Sequence, residues 1–162
     1  TYLRERHVTL INKNNKVRPT DKLKLKYKRK FDKAYAAAMQ LRSMFNRVMK
    51  NEGGTALKDI EKAMGYTHLE LVEHLESMFT ATINWETRCN WHVDHIVPVS
   101  WFANRGIYDP SIVHALVNLR PLKAKENLNK LAKLTNESIE LIMSGKLGDY
   151  IKEVYIKELE TL

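Results

Sequence analysis

Cysteine is nearly absent from this chain of 162 residues, in which Cys89 is the only thiol. A single cysteine excludes a disulfide within the chain, and it excludes any zinc site built from several thiolates. Long apolar runs are also missing: none approaches the roughly 18 residues that a membrane-spanning helix needs. No charged-then-apolar signal segment opens the sequence. We therefore expect a cytoplasmic protein in a reducing compartment, with no membrane partner.

Acidic residues are scarce in the first fifty positions, although the formal net charge of the whole chain is only +8. Residues 1–50 hold fifteen Lys and Arg against three acidic residues, whereas residues 51–162 hold twelve against sixteen. A basic excess confined to one segment is typical of an arm that lies along a polyanion and contacts its phosphates. A solvated tail would have the same composition, and that alternative stays open.

The N-terminal third is expected to be an arm followed by helices. Residues 1–20 carry asparagines and scattered basic residues, which predicts an extended or loosely ordered segment. Residues 22–28 alternate strictly between lysine and an apolar residue, which fits a strand. A basic helix is nearly as good an interpretation, because apolar residues recur at three and four over residues 31–49 and predict a helix there.

Capping residues mark the next two helices. Thr55 is placed to cap a short helix over residues 56–64, and Gly65 stands where a C-terminal cap belongs. Thr67 and Glu70 form a capping-box pattern, in which each side chain accepts a hydrogen bond from the other residue's backbone. This pattern predicts the start of a further amphipathic helix.

The second half of the chain combines two short strands with helices. Residues 90–99 are dense in β-branched and aromatic residues and predict a strand that ends at Pro98. A long irregular connection follows, and residues 117–122 predict a second strand. The remaining pattern predicts helices over residues 123–134, with Ala124, Leu128 and Leu131 facing inward, and over residues 136–144 and 148–161.

Residues able to carry chemistry fall on these two strands and on the helix after them. Asp94 and His95 lie on the first strand, Asn118 on the second, and Asn127 on the helix. Hydrolysis of a phosphodiester needs a base that activates water, a cation at the phosphate oxygens, and positive charge that binds the phosphates. His95 meets the first need because neutral imidazole accepts a proton near pH 7. The oxygens of Asp94 and Asn127 suit Mg²⁺ or Mn²⁺.

Basic residues near these positions complete the pattern. Lys123, Asn127 and Lys130 share one face of the predicted helix, so a metal ligand and phosphate-binding lysines would project into one cleft. Arg120, on the second strand, is a further candidate for binding phosphate. The candidate nucleic-acid contacts of the N-terminal segment are Lys24, Lys26, Lys28, Arg29 and Lys30.

Three short runs together resemble a known motif. Residues 91–98 (WHVDHIVP), 118–122 (NLRPL) and 126–130 (ENLNK) resemble the HNH motif of metal-dependent nucleases. They are similar to the HNH domain of the CRISPR effector nucleases, and they look closest to small phage-type HNH endonucleases. The resemblance covers about residues 65–133.

That resemblance implies an α+β fold in which a ββα-metal (HNH) core is surrounded by N- and C-terminal helices. Residues 1–64 would be the basic arm and helices that contact DNA, residues 65–134 the nuclease core, and residues 135–162 a C-terminal helical extension. Many proteins of this family carry two CxxC pairs that hold a structural zinc. Lys123 and Glu126 stand where one pair would fall, so no structural zinc is expected.

The resemblance also implies a role for each residue of the motif. His95 would be the general base, and Asp94 and Asn127 would hold one Mg²⁺ or Mn²⁺. Asn118 would orient the His95 ring and brace its loop. Lys130 matches the lysine that commonly closes the motif.

The implied reaction is hydrolysis of DNA that leaves a 5′-phosphate and a 3′-hydroxyl, as a nick or as a double-strand break. His92 shares a strand face with Asp94 and is a further candidate contact for phosphate or metal-bound water. DNA is the expected partner. A second copy of the chain and an additional phage or host protein are further candidates, and the host cytoplasm is the expected location if a phage encodes the chain.

Two alternatives stay open at this point. One is a non-selective nuclease toxin domain that acts on DNA or RNA. The other is a catalytically silent DNA-binding module of the same fold.

Overall fold

The computed structural model describes residues 19–50 and 54–161, except for the side chains of residues 19–20 and 29–31. In this part of the chain, helices combine with a small antiparallel sheet, which is compatible with the expected α+β class. The predicted arm lies almost entirely outside the described residues, and so do the side chains of Arg29 and Lys30.

Helices make up the described part of the N-terminal half: α1 Pro19–Phe31, α2 Lys33–Met49, α3 Leu57–Met64 and α4 His68–Glu76. The alternating segment 22–28 is therefore helical. All of its side chains are exposed, and among the described residues the only sheet pairs β1 with β2, so this segment has no strand partner there. Asp32 separates α1 from α2, because its carboxylate accepts a hydrogen bond of 2.9 Å from the Tyr35 backbone and caps α2.

Two of the three predicted caps are confirmed. Gly65 ends α3 with φ +80°, a left-handed conformation that glycine adopts without a Cβ clash. Thr67 and Glu70 form the capping box of α4: the Thr67 hydroxyl accepts from the Glu70 backbone (3.2 Å), and the Glu70 carboxylate accepts from the Thr67 backbone (2.7 Å). The cap predicted at Thr55 is wrong, because Ala56 occupies the capping position of α3 and has no side chain that could accept a hydrogen bond.

Two antiparallel strands, β1 (Trp91–His95) and β2 (Leu119–Lys123), form the sheet in the described residues. Their register sets Asp94 opposite Arg120 and His95 opposite Leu119. The connection between them contains two short α-helices, and three further α-helices follow β2: α5 Val99–Ala103, α6 Pro110–Val113, α7 Ala124–Lys130, α8 Asn136–Met143 and α9 Asp149–Leu159. Asn118 was predicted on the second strand, but it ends a 3₁₀ turn (Leu116–Asn118) directly before β2.

Helix α7 is shorter than predicted and does not face the core with its leucines. It ends at Lys130, and Leu131 has φ +54°, which lies outside helical geometry. Leu128 and Leu131 are each 68% exposed, so the prediction that they face inward is wrong. The face of α7 that contacts the sheet carries Asn127 and Lys130 instead, and polar contacts replace the expected apolar packing.

The buried apolar side chains form two clusters. The first joins α2, α3 and α4 to the sheet and includes Leu41, Met44, Ile60, Leu71, Leu75, Trp91 and Leu119. The second packs α8 and α9 against the connection between the strands and includes Val97, Phe102, Val113, Ile142 and Ile151. Trp91 and Trp101 are buried in these clusters and Trp85 packs against the first, so all three tryptophans are packing residues. Among the described helices, none has the length and apolarity that a bilayer crossing requires.

The C-terminal helix should be necessary for the stability of the second cluster. Ile151 is fully buried there, whereas its neighbour Tyr150 is 60% exposed. We expect Ile151→Ala to lower the free energy of unfolding by about 2 to 5 kcal/mol, because it leaves a cavity that the core cannot refill. Tyr150→Ala should change it by less than about 0.5 kcal/mol. Urea unfolding of both variants measures the difference; equal stabilities would contradict the packing of α9.

Candidate functional site

One polar cavity of about 470 Å³ receives side chains from three separate elements. Asp94 and His95 come from the end of β1, and Asn127 and Lys130 come from α7. Helix α2 also lines the cavity and contributes Gln40, Ser43 and Arg47. The first and third of the motif-like runs therefore meet around one space, whereas no residue of the second run, 118–122, lines it.

Asp94 is a nearly buried carboxylate held between two cations. The Lys130 ammonium contacts both of its oxygens, at 3.0 and 2.9 Å, and also donates to the His95 backbone carbonyl. The cross-strand neighbour Arg120 donates through Nε to Asp94 at 3.0 Å, and through its other end to Glu137. Asp94 therefore pairs with two cations: Arg120, which the antiparallel register sets opposite it, and Lys130, on the face of α7 that contacts the sheet.

These ion pairs bear on two residues that were predicted to bind phosphate. Lys130 and Arg120 are both engaged by Asp94, so binding of phosphate by either side chain would compete with this carboxylate. Burial alone would lower the pKa of Arg120, but its hydrogen bonds with Asp94 and Glu137 raise it, so the guanidinium stays charged.

Asn127 does not contact Asp94 through a hydrogen bond but pairs with His92. Its Nδ2 lies 3.1 Å from His92 Nδ1, and both residues line the cavity. His92 is exposed on the same strand face as Asp94, as the alternation of β1 predicted. In the part of the chain that the structure describes, no group of three or more His, Cys, Asp or Glu could hold a metal ion. A cation here would have Asp94 and the Asn127 amide as protein ligands, with water completing its shell.

His95 is buried, and a second histidine binds its ring. His95 Nε2 lies 2.7 Å from His114 Nδ1, and the two rings meet edge to face with their centroids 5.0 Å apart. Burial lowers the pKa of His95 well below its ordinary value, and His114, Arg47 and Lys130 lower it further by repulsion. The imidazole is therefore neutral at pH 7 and has a lone pair that can accept a proton.

Asn118 is fully buried and ties the connection to the sheet. Its side-chain oxygen accepts from the Val97 backbone at 2.7 Å, and its Nδ2 donates to the carbonyls of Val97 (3.1 Å) and Val113 (2.9 Å). It braces the loop as expected. The contact with the His95 ring that was also predicted for Asn118 is made by His114 instead.

Sequence reasoning missed His114 and the polar face of α2. His114 has no place in the motif-like runs, and nothing local links it to a residue nineteen positions earlier. Gln40, Ser43 and Arg47 recur at three and four, which is a helical face, but the same helix was interpreted only through its apolar face. Arg88 was also missed; it stacks on Trp91 at 4.3 Å and reaches the cavity.

The other predicted basic contacts lie outside the central cavity. Lys123 is exposed at the end of β2. Lys24, Lys26 and Lys28 are exposed on α1, and Lys26 lines a second cavity of about 640 Å³. That second cavity adjoins the first, since Gln40, Ser43 and Arg88 line both.

No family model, curated protein or solved structure matches this chain. Its function therefore has to be inferred from the chemistry of the cavity and from the residues that meet there.

The buried histidines should make the protein sensitive to mild acid. Burial lowers the pKa of His114 from 6.5 to about 4, and hydrogen bonding to the Met44 backbone opposes the shift only in part. The unfolded chain binds this proton first, so stability is complete above about pH 6.5 and is lost as the pH falls toward 4. A shift of this size corresponds to roughly 3 kcal/mol.

Urea unfolding at a series of pH values from 8 to 4 measures this loss. His114→Gln, which cannot take up a proton there, should have a shallower dependence between pH 7 and 5. An identical dependence in the variant would show that folding does not lower the pKa of His114.

Proposed function

We propose that this chain is a divalent-metal-dependent endonuclease of the HNH type that hydrolyses phosphodiester bonds in DNA. The observation that carries the proposal is the convergence of Asp94 and His95 from β1 with Asn127 from α7 on one polar cavity. Strands β1 and β2 and helix α7 would be the ββα-metal core, and the helices on both sides would brace it. Such hydrolysis requires a neutral imidazole, a carboxylate and an amide around a water-accessible space.

His95 would act as the general base. Its ring is neutral, and its Nε2 is engaged by His114, which leaves Nδ1 as the nitrogen available to the cavity. A base in this position would take a proton from the attacking water. Arg47 and Arg88 line the same cavity and would bind the non-bridging oxygens of the phosphate.

Asp94 and Asn127 would hold the cation. Hard oxygen ligands suit Mg²⁺ or Mn²⁺, and when bound such an ion polarises the phosphate and stabilises the leaving oxygen. Lys130 would first have to release at least one oxygen of Asp94, because it contacts both. Asn127 faces His92 through its nitrogen, so its amide oxygen remains available for a cation.

The same ion pair favours a second candidate function, a DNA-binding module that does not cut. Lys130 and Arg120 already neutralise Asp94, so this carboxylate can be buried without a metal ion. In such a module Arg47 and Arg88 would still bind a DNA strand in the cavity.

Helix α1 would extend the DNA contact beyond the central cavity. Lys26 lines the second cavity, which adjoins the first because both are lined by Gln40, Ser43 and Arg88. Lys24 and Lys28 are exposed on the same helix. A phosphate backbone that passes the cavity would therefore meet positive charge along α1, which adds affinity without sequence choice.

Removal of the base should stop cleavage without releasing DNA. We expect His95→Ala to slow Mg²⁺-dependent plasmid nicking by at least about 100-fold, since general-base catalysis is worth two to four orders of magnitude. DNA affinity in EDTA should be nearly unchanged. Conversion of supercoiled to open-circular and linear plasmid measures the rate. His68→Ala is the matched control: this histidine pairs with Glu61, does not line the cavity, and should be replaceable without loss of rate.

The same assay separates the candidate functions. Wild-type protein that binds plasmid but never cuts it with Mg²⁺ or Mn²⁺ would contradict the nuclease and favour the silent module. Equal rates on RNA and DNA would indicate a non-selective nuclease.

Asn127→Ala should need more Mg²⁺ for half-maximal cutting, and excess cation should restore part of the rate. Linear product without an open-circular intermediate would indicate paired active sites in a homodimer.

The lysines of α1 should contribute to the salt dependence of DNA binding. Each phosphate contact adds about 0.9 to the slope of log affinity against log salt, so the triple variant Lys24→Gln, Lys26→Gln, Lys28→Gln should lower that slope by up to roughly 3. Fluorescence anisotropy with labelled duplex DNA in EDTA, over a range of KCl concentrations, measures it.

A control with the same loss of charge tests whether position matters. Lys58, Lys62 and Lys157 are exposed on α3 and α9 and line neither cavity. Their replacement by glutamine should leave the slope nearly unchanged. If both triple variants lower the slope equally, α1 is not a DNA contact and only net charge matters.

A further inference from the structure

One exposed leucine lines the candidate cavity in an unusual backbone conformation. Leu131 directly follows α7, and most of its surface is exposed to solvent. Its backbone has φ +54° and ψ −148°, close to a region that essentially only glycine adopts without strain. Among the described residues, Lys50 also has a positive φ, but it lies in the ordinary left-handed region at the end of α2. Leu131 therefore combines an unfavourable backbone with an unfavourable exposure.

The fold accounts for the backbone at Leu131. On one side, Lys130 is held by the Asp94 carboxylate and by the His95 carbonyl. On the other side, Leu134 packs against the second apolar cluster. The residues between them have to join two fixed positions, and the chain forms a turn there as α7 ends. A strained conformation persists where the surrounding contacts fix it in this way.

The fold does not account for the choice of leucine at this position. Glycine would adopt the same backbone without a Cβ clash and would expose no apolar side chain. Leu131 belongs to neither apolar cluster, so its side chain gains no burial in the described part of the chain. Leu128, three residues earlier, is equally exposed. A single exposed leucine is ordinary, but two beside a cavity, one of them on a strained backbone, indicate a contact outside the chain.

The charges around Leu131 indicate the chemistry of its partner. Arg47 and Arg88 line the same cavity, and Lys133 is exposed two residues further along the chain. The acidic member of the lining, Asp94, is already paired with two cations. A ligand has to bring negative charge to the cations and apolar surface to the leucine. Nucleic acid brings both, because its phosphates lie next to bases whose faces become accessible when two stacked bases separate.

We propose that Leu131 is a wedge that enters between two adjacent bases of bound DNA and separates them beside the candidate cavity. An apolar side chain that inserts in this way unstacks a base step, kinks the duplex and reduces its twist. The fixed turn holds the leucine in place before DNA binds, so little conformational entropy is lost when it inserts. This inference depends on the proposed function for its ligand, DNA, but not for cleavage.

Untwisting of a closed circular plasmid tests the wedge without any cleavage. In EDTA, a topoisomerase that needs no metal ion relaxes plasmid covered by the protein. When the protein is then removed, each site that it had untwisted remains as negative supercoiling, which gel electrophoresis measures. The method needs no knowledge of a recognition sequence.

Two substitutions of similar size separate an apolar wedge from a side chain that only occupies space. Leu131→Met keeps a flexible apolar side chain, whereas Leu131→Gln has nearly the same length but is polar. Both place the same demand on the backbone. At equal fractions of bound plasmid, Leu131→Met should retain most of the supercoiling that the wild-type protein produces, and Leu131→Gln should lose most of it. Equal supercoiling with the wild-type protein and with Leu131→Gln would overturn the proposal.

Two controls test position and folding. Leu69 is an exposed leucine on α4 that does not line the cavity, so Leu69→Gln should untwist DNA as the wild-type protein does. Leu131→Gly should lose the untwisting with an almost unchanged midpoint of urea unfolding, because relief of the strain offsets the greater entropy of the unfolded chain. A large fall in that midpoint would mean that Leu131 serves the fold, and the proposal would be wrong.

The outcomes also separate the wedge from the proposed function. Protein that untwists plasmid through Leu131 but never nicks it with Mg²⁺ would contradict the nuclease and leave the wedge in place. Nicking without untwisting that depends on Leu131 would contradict the wedge alone, and sedimentation velocity of Leu131→Gln would then show whether the leucine joins two copies of the chain. Absence of any DNA binding would contradict both proposals.

Discussion

The Asn118 side chain holds together the two ends of the long connection between the strands. It bonds both backbone groups of Val97, just after β1, and the carbonyl of Val113, at the end of α6. His95 lies two residues before the first of these contacts, and His114 follows the second directly. One buried amide thus fixes the distance between two histidine rings that are far apart in sequence. A buried amide is costly unless all its groups are paired, so this arrangement tolerates little variation.

The charges around Asp94 are balanced within the protein. A buried carboxylate without a partner would cost several kcal/mol, and Lys130 and Arg120 offset that cost from opposite sides. A cation at this site would have to replace part of that balance. The affinity for a divalent ion would then depend on the difference in free energy between Asp94 paired with Lys130 and Asp94 bound to the ion. A phosphate that attracts Lys130 away from Asp94 would favour binding of the ion.

Helix α2 serves the core and the cavity with different faces. Its apolar face, which includes Leu41 and Met44, packs into the first cluster. Its polar face supplies Gln40, Ser43 and Arg47 to the lining of the cavity that Asp94 also lines. Packing of the N-terminal helices therefore sets the width of the cavity, and the sheet alone does not form the site.

Features that depend on near neighbours could be predicted from sequence. The capping box at Thr67, the left-handed turn at Gly65 and the helical spacing of α2 all follow from hydrogen bonds and side-chain contacts within about one helical turn. The Asp94–His95 pair on a strand and the amides at Asn118 and Asn127 were also found in this way. The concentration of basic charge in the first fifty residues is a property of composition alone.

Contacts between distant residues were decided by the tertiary structure. Local alternation could not tell whether residues 22–28 would find a strand partner; the described part of the chain offers none, and the segment is helical. The ion pair of Lys130 with Asp94 and the contact of His114 with His95 join residues 36 and 19 positions apart, and no local periodicity encodes them. Leu128 and Leu131 had the spacing of a buried face, yet both are exposed, and the polar side of α7 faces the sheet. An unpaired buried carboxylate at Asp94 would cost more free energy than two exposed leucines, so Lys130 takes the inward position.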